Sequence, residues 1–204
     1  AAPACVDALA RSTRSNGDLD GIFVNPGNVA RETTSGLDVS AQYRLATRIG
    51  DWRLSASHTW VNEHEFQQFR GDPIEDEFAI NSGFDIPRTK SSATLSWQYG
   101  GWAASLHGER LGKLPNSDSY DQVYDPEDGG SPWIDATWRY NTSASYTFGE
   151  SMRVALTIDN LTDKMPPKDP TYTAYPYYDV SWFDSVGRTY FLTFTYKFGD
   201  QPLQ

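Results

Sequence analysis

Apolar and polar side chains alternate along residues 187–199, and this alternation constrains the fold more than any other feature of the sequence. Five large apolar residues share one parity: Tyr190, Leu192, Phe194, Tyr196 and Phe198. Threonines and Lys197 take the other parity, with Phe191 as the exception. Because successive side chains of a strand point to opposite faces, the pattern predicts a β-strand with one apolar and one polar face. Such a strand fits a soluble barrel with its apolar face inside or a membrane barrel with its apolar face turned to lipid.

Six earlier segments repeat this alternation and predict six more long strands. They are residues 33–48, 52–62, 88–99, 102–112, 133–148 and 151–161. The pattern is imperfect in the second of them, where His58 has the apolar parity and Val61 the polar one. Residues 1–28 carry turn signals around a short apolar run at 22–24, which predicts a loop excursion with one short strand. The chain is therefore predicted to be all-β.

Short and long connections alternate between the predicted strands. The short turns lie at 49–51, 100–101 and 149–150. The long loops carry the whole net charge of −10, within segments 64–87, 113–132 and 164–187. In an antiparallel sheet the short turns lie at one end of the strands and the long loops at the other end. This asymmetry is typical of transmembrane β-barrels. The acidic charge also argues against a nucleic-acid partner.

Aromatic residues of the apolar parity mark the ends of the predicted spans. We expect six of them to lie at the membrane interface: Trp52, Tyr99, Trp102, Phe148, Tyr190 and Phe198. Rings suit this level because it is apolar on one side and wet on the other. The interval from Tyr190 to Phe198 is roughly 26 Å long and, tilted by about 40°, spans roughly 20 Å, near the apolar band of such barrels. The predicted fold is an antiparallel up-and-down transmembrane β-barrel.

Motifs near the end of the chain resemble those of a known family. Residues 154–164 read VALTIDNLTDK and are followed by two prolines, a tyrosine-rich stretch, Gly187-Arg188 and the closing YKF of 196–198. This arrangement closely resembles the C-terminal signature of TonB-dependent outer-membrane receptors, and the resemblance extends more diffusely over nearly the whole chain. It implies a barrel of about 22 strands with a plugged lumen. We therefore expect this chain to be a C-terminal part of the barrel, with about seven or eight strands.

The same resemblance implies a function. The intact protein is expected to bind a scarce solute, such as a siderophore or an oligosaccharide, and to import it across the bacterial outer membrane. The implied partners are outer-membrane lipid, the upstream strands and plug of the same protein, the TonB complex and the solute. The plug and the TonB box are expected in upstream sequence, and neither a cofactor nor an enzymatic activity is implied. We divide the chain into an extracellular excursion at 1–32, barrel strands at 33–199 and a periplasmic tail at 200–204.

The alternative is a self-contained eight-stranded outer-membrane barrel with a structural or adhesive role. The polar parity argues against it because it carries eight charged residues: Arg44, Arg53, Glu109, Asp135, Arg139, Arg153, Asp159 and Lys197. Closing eight strands brings these charges into a narrow interior where each needs a partner. We therefore expect a curved open sheet. Strand 187–199 would form one edge, and strand 33–48 or the short strand at 22–24 the other.

Aromatic residues crowd the last long loop and are candidates for ligand contacts. They are Tyr172, Tyr175, Tyr177, Tyr178, Trp182 and Phe183. Stacked rings can bind a sugar, a heterocycle or an aryl siderophore. The alternative is that most of these rings pack the loop against its neighbours. Five acidic residues between Asp118 and Asp128 have the oxygen ligands of a divalent-cation site, but solvated acidic loops are commoner and no metal is assigned.

Two further features have a functional and a plain interpretation. Ser105, His107 and Glu109 share the polar face and have the residue types of a hydrolase triad, but a polar barrel interior produces that triplet by chance. An outer-membrane hydrolase is thus the weakest of the three interpretations.

Cys5 is the single cysteine, so it is either an unpaired thiol or the partner of an upstream cysteine. Relatives in the family often carry such an upstream cysteine.

Overall fold

The computed structural model describes residues 31–79, 86–116, 131–169, 171 and 175–198. Within them the chain forms these strands: β1 (Arg31–Thr47), β2 (Gly50–Gln67), β3 (Glu75–Asp76), β4 (Thr89–Tyr99), β5 (Trp102–Leu111), β6 (Leu114–Pro115), β7 (Trp133–Ile134), β8 (Thr137–Phe148), β9 (Met152–Asp159) and β10 (Thr189–Tyr196). None of these residues forms a helix that is long and apolar enough to cross a membrane. The short strand predicted at 22–24 lies outside the described residues.

The seven long strands form one antiparallel sheet in the order β1-β2-β4-β5-β8-β9-β10, with β3 added beside the end of β2. β10 pairs with β9 and with no other described strand, and β1 lies at the opposite edge, paired with β2. The all-β class and the open sheet are therefore as predicted. Among the described residues the closed eight-stranded alternative, which requires β10 to pair with β1, is not formed.

The register places the apolar parities of all seven strands on one face. In one row Leu54 lies opposite Tyr43 on β1 and Leu95 on β4, and Leu95 lies opposite Leu106 on β5. At the other end of the sheet Leu156 lies opposite Leu192 of β10. We call this side the apolar face and the opposite side the polar face. A one-residue slip at any strand pair would put polar side chains on the apolar face and apolar ones on the polar face. The alternation itself therefore specifies the register.

The apolar face is uncovered. Many of its large side chains are exposed, with exposed fractions of 62% at Tyr43, 63% at Phe194 and 76% at Leu192. The buried hydrophobic residues of the described chain are Phe78, Leu114 and Ile134, and all three lie in or beside the long connections. Soluble monomers rarely expose a contiguous apolar surface of this extent, which indicates that another surface covers this face.

All seven long strands differ from their predicted bounds by at least one residue, and two of these differences change the architecture. β2 runs to Gln67, five residues further than predicted, and a β-bulge at Ser35/Gly36 marks the extension. The predicted strand 133–148 is broken at 135–136, because its first two residues form β7 and pair with β6 instead of joining the sheet. This small strand pair buries Leu114 and Ile134.

The short turns occur where they were predicted, with small shifts at the first and at the third, which extends to residue 151. β1 ends at Thr47 and Gly50 already belongs to β2. Gly50 is buried and has a φ of 121°, and a Cβ at this position would lie 2.5 Å from Trp97 Nε1. That indole nitrogen donates to the Ile49 carbonyl at 2.8 Å. Glycine is therefore required both by the backbone conformation and by the tryptophan that packs over it.

Candidate functional site

Asn160 organises the start of the last long connection, which joins β9 to β10. It has a φ of 52° and is 1% exposed. Its backbone N–H donates to Asn141 Oδ1 of β8 at 2.9 Å, its Nδ2 donates to the Lys164 carbonyl at 3.0 Å, and its Oδ1 accepts from the Lys164 N–H at 2.8 Å. Asparagine tolerates this left-handed conformation because its side chain can bond to the local backbone. The NLTDK motif is thus a turn that closes on its own asparagine.

Asp163 links the two ends of the same connection. Its Oδ1 accepts from the Arg188 N–H at 2.8 Å. A Cβ on Gly187 would lie 3.0 Å from that carboxylate oxygen, tighter than ordinary contact. The Gly-Arg pair of the sequence motif therefore lets the chain pass close to Asp163 before it enters β10. Both halves of the motif serve to position this connection.

The connection is also fixed to the polar face. Arg139 Nη1 of β8 donates to Asp184 Oδ2 at 2.6 Å. This hydrogen bond holds the pKa of Asp184 below its usual value, and the backbone N–H of Val186 adds a second donor. Arg139 lies opposite Glu109 on β5, and Lys90 Nζ of β4 lies 3.2 Å from Glu109 Oε1. A charged row therefore crosses three strands below the connection.

Two of the six predicted ligand-contact aromatics lie over this row. Trp182 and Phe183 line a cavity of about 140 Å³ on the polar face. The remaining walls come mostly from the charged row and from the start of the connection: Lys90, Glu109, Arg139, Lys164, Met165 and Asp184. Pockets for drug-sized ligands measure about 300–1,000 Å³, so this cavity would hold only part of a solute. It provides two rings for stacking beside charges of both signs.

The other predicted aromatics are placed elsewhere. Tyr175 is 84% exposed and packs edge-on against Tyr177 at a ring-centroid distance of 6.2 Å. Tyr178 is half-buried but does not line the cavity. Tyr172 lies outside the described residues. The structure thus separates the aromatic group into a pair on the polar face and a more peripheral set.

Sequence reasoning missed two of the charges in this site. Glu109 and Arg139 were assigned to the polar parity, but Lys90 and Asp184 were not singled out. Lys90 carries a signal, since it has the same parity as Ser92 and Thr94 at the start of β4. Asp184 carries none, because its contact with Arg139 joins residues 45 positions apart.

Ser105, His107 and Glu109 each contact a residue outside their triplet. Ser105 Oγ is 2.8 Å from Ser143 Oγ, and His107 Nδ1 is 2.8 Å from Thr94 Oγ1. Glu109 pairs with Lys90 instead of with His107. In the described ranges no group of three or more His, Cys, Asp or Glu can hold a metal ion, and the acidic residues at 118–128 lie outside them.

The aromatic residues of the apolar face form a row beside the short turns. Ring contacts join Trp52 to Trp97 at 6.1 Å and Trp102 to Tyr146 at 4.8 Å. The row continues through the pairs Trp97–Tyr99, Tyr146–Phe148 and Tyr196–Phe198. Five of the six predicted interface aromatics belong to this row. Tyr190 lies at the opposite end of β10.

The apolar face also has aromatic residues near the long connections. Trp138 stacks on Tyr140 at 5.9 Å, and Trp60 lies toward the far end of β2. These three residues and Tyr190 are exposed or half-buried. The apolar face is therefore bounded by rings at both ends, and of the second group only Tyr190 was predicted to lie at an interface.

Comparisons with known proteins agree with this architecture. The profile of a family described as "TonB dependent receptor-like, beta-barrel" matches residues 7–161. Among solved structures, a mutant of the ferric enterobactin receptor from Pseudomonas aeruginosa matches with a TM-score of 0.55 and 16% sequence identity. The match covers 84% of this chain and 23% of that receptor, so the chain spans about a quarter of its length. At this identity the likeness concerns the fold alone. No curated protein matches the chain.

Proposed function

Because the chain belongs to the TonB-dependent receptor family, as part of its β-barrel, we propose that it is the C-terminal wall of an outer-membrane transporter. The family is one of outer-membrane receptors and transporters and not of enzymes. In this proposal the apolar face contacts lipid, and the polar face lines the lumen. The short turns lie on the periplasmic side and the long connections on the extracellular side. Rings at the two ends of the apolar face would then lie at the two membrane interfaces.

The observation that carries the proposal is the position of Trp182 and Phe183. The Arg139–Asp184 ion pair holds their connection over the polar face. The two rings therefore lie beside Lys90 and Glu109. Under this proposal that position is the extracellular side of the lumen. A solute arriving from outside would meet stacking surfaces and charges of both signs at once. Because the cavity is small, the rest of the solute would contact strands and a plug contributed by other parts of the protein.

Charge and aromatic content narrow the class of solute. The net charge of −10 is concentrated in the long connections, which disfavours a strongly anionic solute. Two aromatic rings suit a ferric siderophore with aryl groups or an oligosaccharide. Both classes are tested, since each carries groups that can stack on the two rings. The energy for import would come from the TonB complex, through the plug.

The experiment compares two aromatic substitutions in the full-length receptor. Ferric siderophores and oligosaccharides are screened for quenching of tryptophan fluorescence, and uptake of the best binder is followed in cells. We expect Trp182→Ala/Phe183→Ala to weaken binding at least tenfold, while Tyr175→Ala, which removes an exposed ring outside the cavity, leaves it unchanged. Equal affinity in the double variant and the wild type would remove Trp182 and Phe183 from the binding surface.

A further inference from the structure

Two arginines lie directly opposite each other on the polar face, near the short turns. Arg44 of β1 is the register partner of Arg53 on β2. Both side chains are exposed, and neither forms a salt bridge or a side-chain hydrogen bond within the part of the chain that the structure describes. Like charges that face each other across two strands destabilise a sheet. The pair is therefore expected to need an anionic group that contacts both guanidinium groups.

Arg153 of β9 is a third arginine on this part of the polar face. Its Nη2 donates to Ser145 Oγ of β8 at 2.9 Å, and Ser145 is 8% exposed. The Nε of Arg153 is buried and has no hydrogen-bond partner among the described residues. The guanidinium group is thus held against the sheet, and most of its five N–H donors remain for a further acceptor.

A single groove of about 650 Å³ joins the three arginines. Its lining includes small side chains of the polar face: Ala46, Ser96, Ala103, Ser105, Ser143 and Ser145. The row that begins at the arginine pair continues through serines, because Ser96 lies opposite Arg53 and the register carries the row on to Ser105 and Ser143. Since these side chains are short, another polypeptide can lie close to the sheet along the row.

The groove is positively charged and long. Its lining has one acidic residue, Asp51, against the three arginines. Strands β4, β5 and β8 lie between β2 and β9, so at about 4.8 Å per strand these two strands are roughly 19 Å apart. Arg44 and Arg53 therefore mark one end of the groove, and Arg153 marks the other. This arrangement suits a partner that has acidic groups at separate points rather than one small anion.

The groove is also separate from the cavity beside Trp182 and Phe183. Ser105 of β5 lines the groove and Glu109 of the same strand lines the cavity, and four residues of a strand span roughly 13 Å. In the proposed orientation the groove faces the periplasmic half of the lumen, whereas the cavity lies toward the outside. The lumen of a 22-stranded outer-membrane transporter is plugged, so a plug is the partner that this part of the wall would meet.

We propose that Arg44, Arg53 and Arg153 bind carboxylates on the surface of the plug, and that the plug segment facing this wall is acidic. A guanidinium group donates two parallel hydrogen bonds to a carboxylate. A carboxylate over the arginine pair would offset the repulsion between Arg44 and Arg53. The inference rests on the proposed function, because it requires the polar face to line the lumen, but it does not depend on which solute binds.

The test uses two single variants of the full-length receptor, Arg44→Lys and Arg153→Lys, one for each end of the groove. A carbodiimide joins a lysine amine directly to a carboxylate that contacts it, and peptide mass spectrometry identifies the linked residues. We expect each variant to form a new link to an aspartate or glutamate of the plug. The control Arg70→Lys makes the same substitution in the connection between β2 and β3 and is expected to form no link to the plug.

A second measurement does not depend on coupling geometry. Hydrogen exchange of the plug is compared between Arg44→Gln/Arg53→Gln and Arg44→Lys/Arg53→Lys. Loss of both charges is expected to speed exchange in part of the plug several-fold, whereas the lysine pair keeps the charges and should stay close to the wild type. If neither lysine variant forms a link, this measurement decides the question.

Three results would overturn the proposal. Links confined to Asp51 or to other carboxylates of the barrel would mean that the wall satisfies its own arginines. Unchanged exchange of the plug in Arg44→Gln/Arg53→Gln would mean that the arginines do not hold it. Loss of the plug links on adding the best-binding siderophore or oligosaccharide would assign the groove to solute. If the plug links form while Trp182→Ala/Phe183→Ala keeps its solute affinity, only the proposed solute site is refuted.

Discussion

At the scale of single residues, neighbouring positions on β10 point to opposite faces and are expected to differ sharply under mutation. Phe194 lies midway between Tyr190 and Phe198 and has the apolar parity, and Thr195 follows with the polar parity. In the full-length barrel Phe194→Arg should cost about 2–4 kcal/mol, because it places a charge near the middle of the hydrocarbon. Thr195→Arg should cost much less, since its side chain enters a wet lumen. Equilibrium folding into lipid vesicles measures both, and equal costs would contradict the orientation of the sheet.

Asn160 is expected to be the most sensitive polar residue of the last connection. Asn160→Ala removes an acceptor for the Lys164 N–H and a donor to the Lys164 carbonyl. Each of these hydrogen bonds contributes about 0.5–1.5 kcal/mol to stability. The variant should therefore lose at least that much stability in urea titrations of the folded barrel.

A matched control separates burial from residue type in this prediction. Asn62 is an exposed asparagine at the bulged end of β2. Asn62→Ala is expected to change stability by less than about 0.5 kcal/mol, as surface substitutions usually do. Similar losses in the two variants would mean that the bonds of Asn160 do not stabilise the connection.

At the scale of elements, the long connections and the short turns are expected to differ in exposure to the outside of the cell. A protease added to intact cells bearing the full-length receptor should cut between Asp72 and Asp85 or between Asp118 and Gly130. The two-residue strand β3 and the buried Glu77 and Phe78 should protect residues 75–78 relative to the rest of the first segment.

The reversed topology would give a different cleavage pattern. Fragments are identified by mass spectrometry after mild digestion, with lysed cells as the control in which both sides are accessible. Cleavage confined to the turns at Gly50, Gly100 or Gly149 would reverse the topology of the sheet in the membrane. Gly100 and Gly149 both have positive φ, and a Cβ added at either would meet open space, so these turns are accessible whenever their side of the membrane is.

At the scale of the whole molecule, the open sheet predicts that residues 1–204 alone do not insert stably into a membrane. β1 and β10 each have one edge that no described strand pairs. Lipid offers no hydrogen-bond partners to the exposed backbone groups of these edges. Residues 1–204 expressed alone are therefore expected not to insert stably into lipid vesicles, as measured by protection from protease and by resistance of the sheet to urea.

The control for this prediction is the full-length receptor refolded in the same vesicles. We expect it to insert, because the remaining strands pair both edges. Stable insertion of residues 1–204 as a monomer would instead favour a self-contained barrel. Insertion only as an oligomer would mean that copies of the chain pair their edges with one another.

Much of this architecture is determined by the sequence. Side chains alternate with a period of two residues, and in a sheet that pattern fixes both the face and the register of each strand, as at Leu54, Leu95 and Leu106. The short glycine-containing turns identify the end of the sheet that lies opposite the long connections. The charges of the polar parity also predicted correctly that the sheet stays open, because a narrow interior would leave them without partners.

The tertiary structure decided what depends on contacts between distant parts of the chain. The predicted strand 133–148 is broken because Ile134 pairs with Leu114, and no local pattern specifies that pairing. Trp182 and Phe183 were separated from the other loop aromatics by the bond between Arg139 and Asp184. Arg53 and Arg153 line one groove only because the strands between them pair in the sheet. Local periodicity determines which way a strand faces, whereas the position of a loop depends on long-range contacts that periodicity does not record.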